Sequence, residues 1–162
     1  MKQSPQMKVI QEQMKPGVLT LHGFLGNDSR SLSEILDADA AEVRRLGTTH
    51  QAIADRMRYF RKEGEAGLGE FTTVDSYFDV KVESVRGKIP SPFGGPGLYA
   101  KTNTTVLNKQ LNRSLVFTDI NIHLIGEHGF YEGKGSPFRL EPRALVEILE
   151  IPREAQQVEI PR

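Results

Sequence analysis

A chain of 162 residues, 38% hydrophobic and 26% charged, has the composition of an ordinary globular protein and the length of one domain. Its 21 basic and 21 acidic residues cancel, so net charge gives no argument for nucleic acid, a membrane surface or an acidic partner. The lack of cysteine excludes disulfides, thiolate metal sites and cysteine nucleophiles together.

Residues 1–16 are polar, rich in Gln and Lys, and read as a flexible N-terminal arm or a frayed helix. They hold no apolar stretch of the signal-peptide kind, and no run in the chain approaches transmembrane length. The expectation is a cytoplasmic protein without membrane contact. Val18–Leu21 reads as a short extended segment, ended by the turn His22–Asn27. Ser31-Leu32-Ser33-Glu34 is a capping box, followed by a helical stripe of Leu32, Ile35, Leu36, Ala40, Val43 and Leu46. Gly47 suits the residue just past that helix. Thr48–Gln51 opens a second helix with Ile53, Met57 and Phe60 inward, stopped by Gly64. So short a connection predicts a helical pair over 31–63.

Residues 64–76 are Gly-rich and read as irregular. Phe78, Val80 and Val82 then alternate with charged residues, which predicts a half-buried strand near 77–85. Ile89–Ala100 has too many Pro and Gly for regular structure and reads as a rigid crossover, or as the wall of a pocket. Further strands are expected near 103–107 and 114–125. The second of these rests on the period-two set Val116, Thr118, Ile120, Ile122 and Leu124, with a helix capped by Asp119 as the alternative. Pro142 opens a last helix, 142–149, and residues 152–162 read as a loose tail. The fold expected is α+β. An N-terminal helical pair is followed by a small antiparallel sheet of about three strands (77–125) and a short C-terminal helix, all in a single domain over 17–151 with one core across the 64–76 break.

His22-Gly23-Phe24-Leu25-Gly26 resembles the oxyanion-hole turn of α/β-hydrolases, which would imply a serine hydrolase. That family places its nucleophile in G-x-S-x-G on a sheet of alternating strands and helices. No serine here has that context, and the expected elements do not alternate, so the resemblance stays confined to one turn.

The stretch 122–142, IHLIGEHGFYEGKGSPFRLEP, concentrates the remaining chemistry. Lys134, Ser136 and Arg139, with the backbone at Gly133 and Gly135, have the character of a site for a small anionic ligand. The spaced G-x-x-x-x-G-K-[ST] of a nucleotide P-loop is absent. His123 and His128 are the candidate proton-transfer groups, should there be catalysis. His123, Glu127 and His128 also form a weak metal set, with no spacing that fixes ligand geometry. Arg56, Arg58, Arg61 and Lys62, with Tyr59 among them, make helix 49–63 an alternative docking surface for nucleic acid or protein, although net neutrality argues against nucleic acid. A homo-oligomer is compatible with the sequence, and neither a cofactor nor an enzymatic activity is specified by it.

Overall fold

The computed structural model describes residues 3–154; the tail expected over 152–162 lies mostly outside the described residues. The N-terminal stretch holds helix α1, Pro5–Gln13, with Pro5 in its first turn and the Ser4 hydroxyl accepting from the Met7 N–H. Two glutamines dock it on α2, Leu32–Arg45. Gln11 accepts from the Leu32 N–H (3.1 Å) and Gln3 from the Ser33 N–H (2.8 Å), and Met14 is fully buried beneath them.

The reciprocal capping box of Ser31 and Glu34 starts α2 as expected, and the Thr49 hydroxyl caps α3, His50–Gly64. The two helices diverge, however. α2 packs on α1 and on α5, Pro142–Leu149, whereas α3 packs on the sheet and on α4, Asp119–His128.

The sheet has four strands, β1 (Thr72–Val74), β2 (Phe78–Pro90), β3 (Leu98–Asn108) and β4 (Arg113–Thr118), antiparallel in the order β1-β2-β3-β4. Three features differ from the sequence reading. β1 occupies part of the stretch read as irregular. The 89–99 segment is no crossover: β2 runs through a bulge between Val85 and Lys88 to pair Pro90 with Leu98, leaving 91–97 as a hairpin tip.

The third difference is that the strand expected over 114–125 stops at Thr118, where α4 begins. The Thr118 hydroxyl accepts from the Asn121 N–H, while the Asn121 carbonyl oxygen accepts from the Thr118 N–H. This box satisfies two donors that a strand would need to pair elsewhere. Ile120, Ile122, Leu124 and Ile125 are all buried, so α4 is apolar nearly all round and its period-two pattern does not discriminate strand from helix.

Strand β1 covers only Phe78–Val80, and β4 covers only Asn103–Asn108. The outer halves of β2 and β3 therefore pair with each other alone and project as a two-stranded ribbon.

Two apolar clusters hold the elements together. One joins Ile53, Met57 and Phe60 of α3 to Phe78, Val80, Val106 and Phe117 of the sheet and Leu145 and Ile148 of α5, so the core does run across the Gly-rich break. The other collects Met14, Phe24, Leu25, Leu32 and Ile35 around Ile120, Leu124 and Phe130. Helix α4 serves both. Val18–Leu21 is not extended: it is a run of bends, closed by Gly17 N–H to Thr20 O (2.8 Å) and Phe24 N–H to Met14 O (2.8 Å). Among the described residues no helix is long and apolar enough to cross a membrane.

Candidate functional site

The turn at 22–28 and the loop at 130–139 meet face to face. Gly133 N–H donates to Phe24 O (2.8 Å), and Lys134 N–H donates to the Asp28 carboxylate (3.0 Å). The fit leaves no room for side chains. A Cβ on Gly133 would lie 2.2 Å from Leu25 O, and one on Gly26 (φ +61°) would lie 2.3 Å from the Ser136 nitrogen. The glycines expected to admit a ligand thus admit the other loop.

Arg139 is equally engaged. Its guanidinium grips Asp39 through two bonds of 2.7 and 2.9 Å, donates to the Glu132 carbonyl (2.7 Å), and pairs with Glu141. Ser136 is buried and donates to the Glu132 carboxyl at 2.8 Å. Of the expected anion set, Lys134 and Gly135 are exposed, and no ion pair holds the Lys134 ammonium group among the described residues.

The joint sets up Glu132. This residue has φ +72°, an uncommon backbone state for a side chain without special turn chemistry, and it is 2% exposed. One carboxyl oxygen accepts from Ser136 and the other from Asn121 Nδ2 (3.0 Å), but among the described residues no cation forms a salt bridge with it. Burial pushes its pKa up to about 7, against the opposing pull of Ser136, Asn121 and Arg139.

Glu132 lines a cleft of about 430 Å³ between the Leu19–Phe24 bends and the β2–β3 ribbon. Leu19, Leu21 and Phe24 flank it on one side, and Val85, Ile89 and Ala100 on the other. Lys88 and Lys101 also line it, and no ion pair holds either among the described residues. Three of the exposed large apolar residues, Leu21 (79%), Val85 (46%) and Phe138 (48%), converge here. A cleft of this size, apolar with a few charged groups, has the character of a small-molecule site.

Neither lysine stands out in the sequence, because only the folded hairpin places both at the cleft, Lys88 opposite Ala100 and Lys101 opposite Val85. Glu132 does fall in the 122–142 stretch, but nothing local separates it from the exposed Glu127.

The histidines do other work. His123 places Nδ1 3.0 Å from the Tyr99 hydroxyl and stacks on that ring at 4.2 Å, and His128 stacks on Phe93 at 4.0 Å. Together they fasten the hairpin tip to α4. Burial lowers the pKa of both, and their mutual proximity lowers that of His128 further. Among the described residues no three His, Asp or Glu side chains converge as metal ligands. His123, Glu127 and His128 therefore do not form the metal set considered from sequence. The His123 and His128 rings do meet edge to face, 5.2 Å between centroids, but no third ligand joins them among the described residues. His50 bonds the Tyr131 hydroxyl (2.8 Å), and His22 lines the cleft.

The cations of α3 are largely engaged as well. Arg56 donates to Leu149 O (2.8 Å) and lies over the Phe60 ring, Arg58 pairs with Asp55, and Arg61 pairs with Asp119 and Glu65. A second, more open hollow of about 470 Å³ beside Arg58, Arg61, Tyr99 and His123 thus offers arginines that are already paired.

No protein-family model matches this chain, and no curated protein or solved structure is found to be similar to it.

Proposed function

We propose that this protein binds a small anionic ligand, in the cytoplasm, and that it does so in the cleft between Leu19–Phe24 and the β2–β3 ribbon. The observation that carries the reading is the pair Lys88 and Lys101, two cations at the walls of one cleft that no ion pair holds among the described residues. Glu132, which lines the same cleft, is held largely neutral below about pH 7, so its charge does not cancel theirs. The loop at 130–139 contributes Glu132 and Phe138 to the cleft, and its remaining polar groups build the joint behind them.

Isothermal titration with a panel of phosphate, acetate and longer carboxylates tests this. Charge-assisted bonds of this kind contribute about 1.5–3 kcal/mol each, so Lys88→Gln and Lys101→Gln should each weaken the anions that bind by about tenfold or more. Binding should also fall with added salt. Wild-type affinity in both lysine variants, or no binding by any anion of the panel, would overturn the proposal.

A further inference from the structure

Resting on that anion reading, we infer that the ligand is a carboxylate carrying an unbranched aliphatic chain, its head held by Lys88 and Lys101 and its chain laid against Leu21, Val85 and Phe138. The argument starts from size. A cleft of about 430 Å³ is far larger than an inorganic anion needs and falls within the usual range for small-molecule sites.

Wall chemistry comes next. The apolar lining is mainly aliphatic (Leu19, Leu21, Val85, Ile89, Ile120), and no pair of facing aromatic rings stands ready to sandwich a base or a sugar. Leu21, Val85 and Phe138 are left 79%, 46% and 48% exposed and all line the one cleft, and exposed apolar surface gathered in this way marks a place that an apolar partner covers.

The head group follows from the cations. Lysines present point charges, which attract an anionic head without demanding a bidentate geometry of it. Glu132 shares the cleft and would repel a polyanion whenever it ionises, so a single negative charge fits best. The groups that face Glu132 are Asn121 of α4, Ser136 and Arg139 of its own loop with Asp39 behind, and His22, Lys88 and Lys101 across the cleft.

Calorimetric titration of the full chain with acetate, hexanoate, octanoate and decanoate, with decanol and phosphate as controls, decides the matter. The dissociation constant should fall about threefold per added methylene until the cleft is filled. Phe138→Ser and Leu21→Gln change exposed side chains, so their thermal melts should match wild type. Each should flatten the dependence on chain length while leaving the affinity for the shortest anions unchanged. Acetate and phosphate binding as tightly as decanoate would overturn the inference and leave the anion reading intact. Decanol binding as tightly as decanoate would overturn both. A native mass spectrum dominated by a dimer that decanoate neither loads nor dissociates would assign the apolar walls to a second copy of the chain and overturn the inference.

Discussion

Around Arg139 every charge has been matched. The guanidinium holds Asp39, Glu141 and a carbonyl, Asp28 holds Arg30 and the Lys134 amide, and the side chains of Arg139, Asp39 and Asp28 are buried. In the neighbouring cleft Lys88 and Lys101 have no ion-pair partner among the described residues, and Leu21, Val85 and Phe138 are partly bare. The first region uses glycine, arginine and serine to lock two loops, and the second uses plain strand residues to leave room. A concentration of polar groups in a loop is therefore a poor guide to binding until the partners of those groups are counted. What marks a site is interaction capacity left over after folding.

The sharpest way to break this contrast is Arg139→Met. It strands the buried Asp39 carboxylate and the Glu132 carbonyl, so the expected cost is about 3–5 kcal/mol in denaturant unfolding. A loss under about 1 kcal/mol would mean that the joint does not hold the loops.

Glu132→Gln comes next. The folded-state pKa of Glu132, about 7, lies above its unfolded value of 4.5. The unfolded chain gives up this proton first as pH rises, so the group's contribution to stability declines between those two values. Above the window the accumulated penalty is about 3 kcal/mol. The stability of Glu132→Gln relative to wild type should therefore rise between pH 5 and pH 8, and a pH-independent difference would show that Glu132 is ionised throughout. The histidines act with the opposite sign, losing stability as pH falls below their unfolded values, but they are common to both proteins.

The smallest effect belongs to Lys134→Ala, which should change neither stability, beyond about 0.5 kcal/mol, nor the affinity for any carboxylate. A marked loss of affinity would return the anion site to the loop.

Helices α2, α3 and α5 are legible in the sequence because their signals are local: Ser31 with Glu34, Thr49 before an apolar stripe, and Pro142 at a first turn. The strand near Phe78 is legible for the same reason. Helix α4 is not, since its buried Ile120, Ile122 and Leu124 mimic a strand's alternation and its polar stripe is reduced to Asp119, His123 and Glu127. Strand β1 has three residues and no pattern of its own; its pairing with Phe78–Val80 of β2 makes it. The site is less legible still. Lys88 and Lys101 reach the same cleft only through the folded hairpin, and Glu132 is buried by contacts from Asn121 and from a turn a hundred residues earlier in the chain. The glycines of 22–28 and 132–136 do carry a signal, but what it specifies is the close approach of two backbones.

The ribbon formed by the outer halves of β2 and β3 has a further consequence for how the protein behaves at high concentration. Bare strand edges recruit strands from other molecules, and this ribbon has one along each side. Its sequence discourages such growth. Pro90 withholds an N–H, the bulge between Val85 and Lys88 breaks the regular spacing of donors, and Arg86, Lys88 and Lys101 set like charges against any incoming copy. The lysines that leave the cleft open to a small anion thus also help to keep the molecule from stacking edge to edge into fibres.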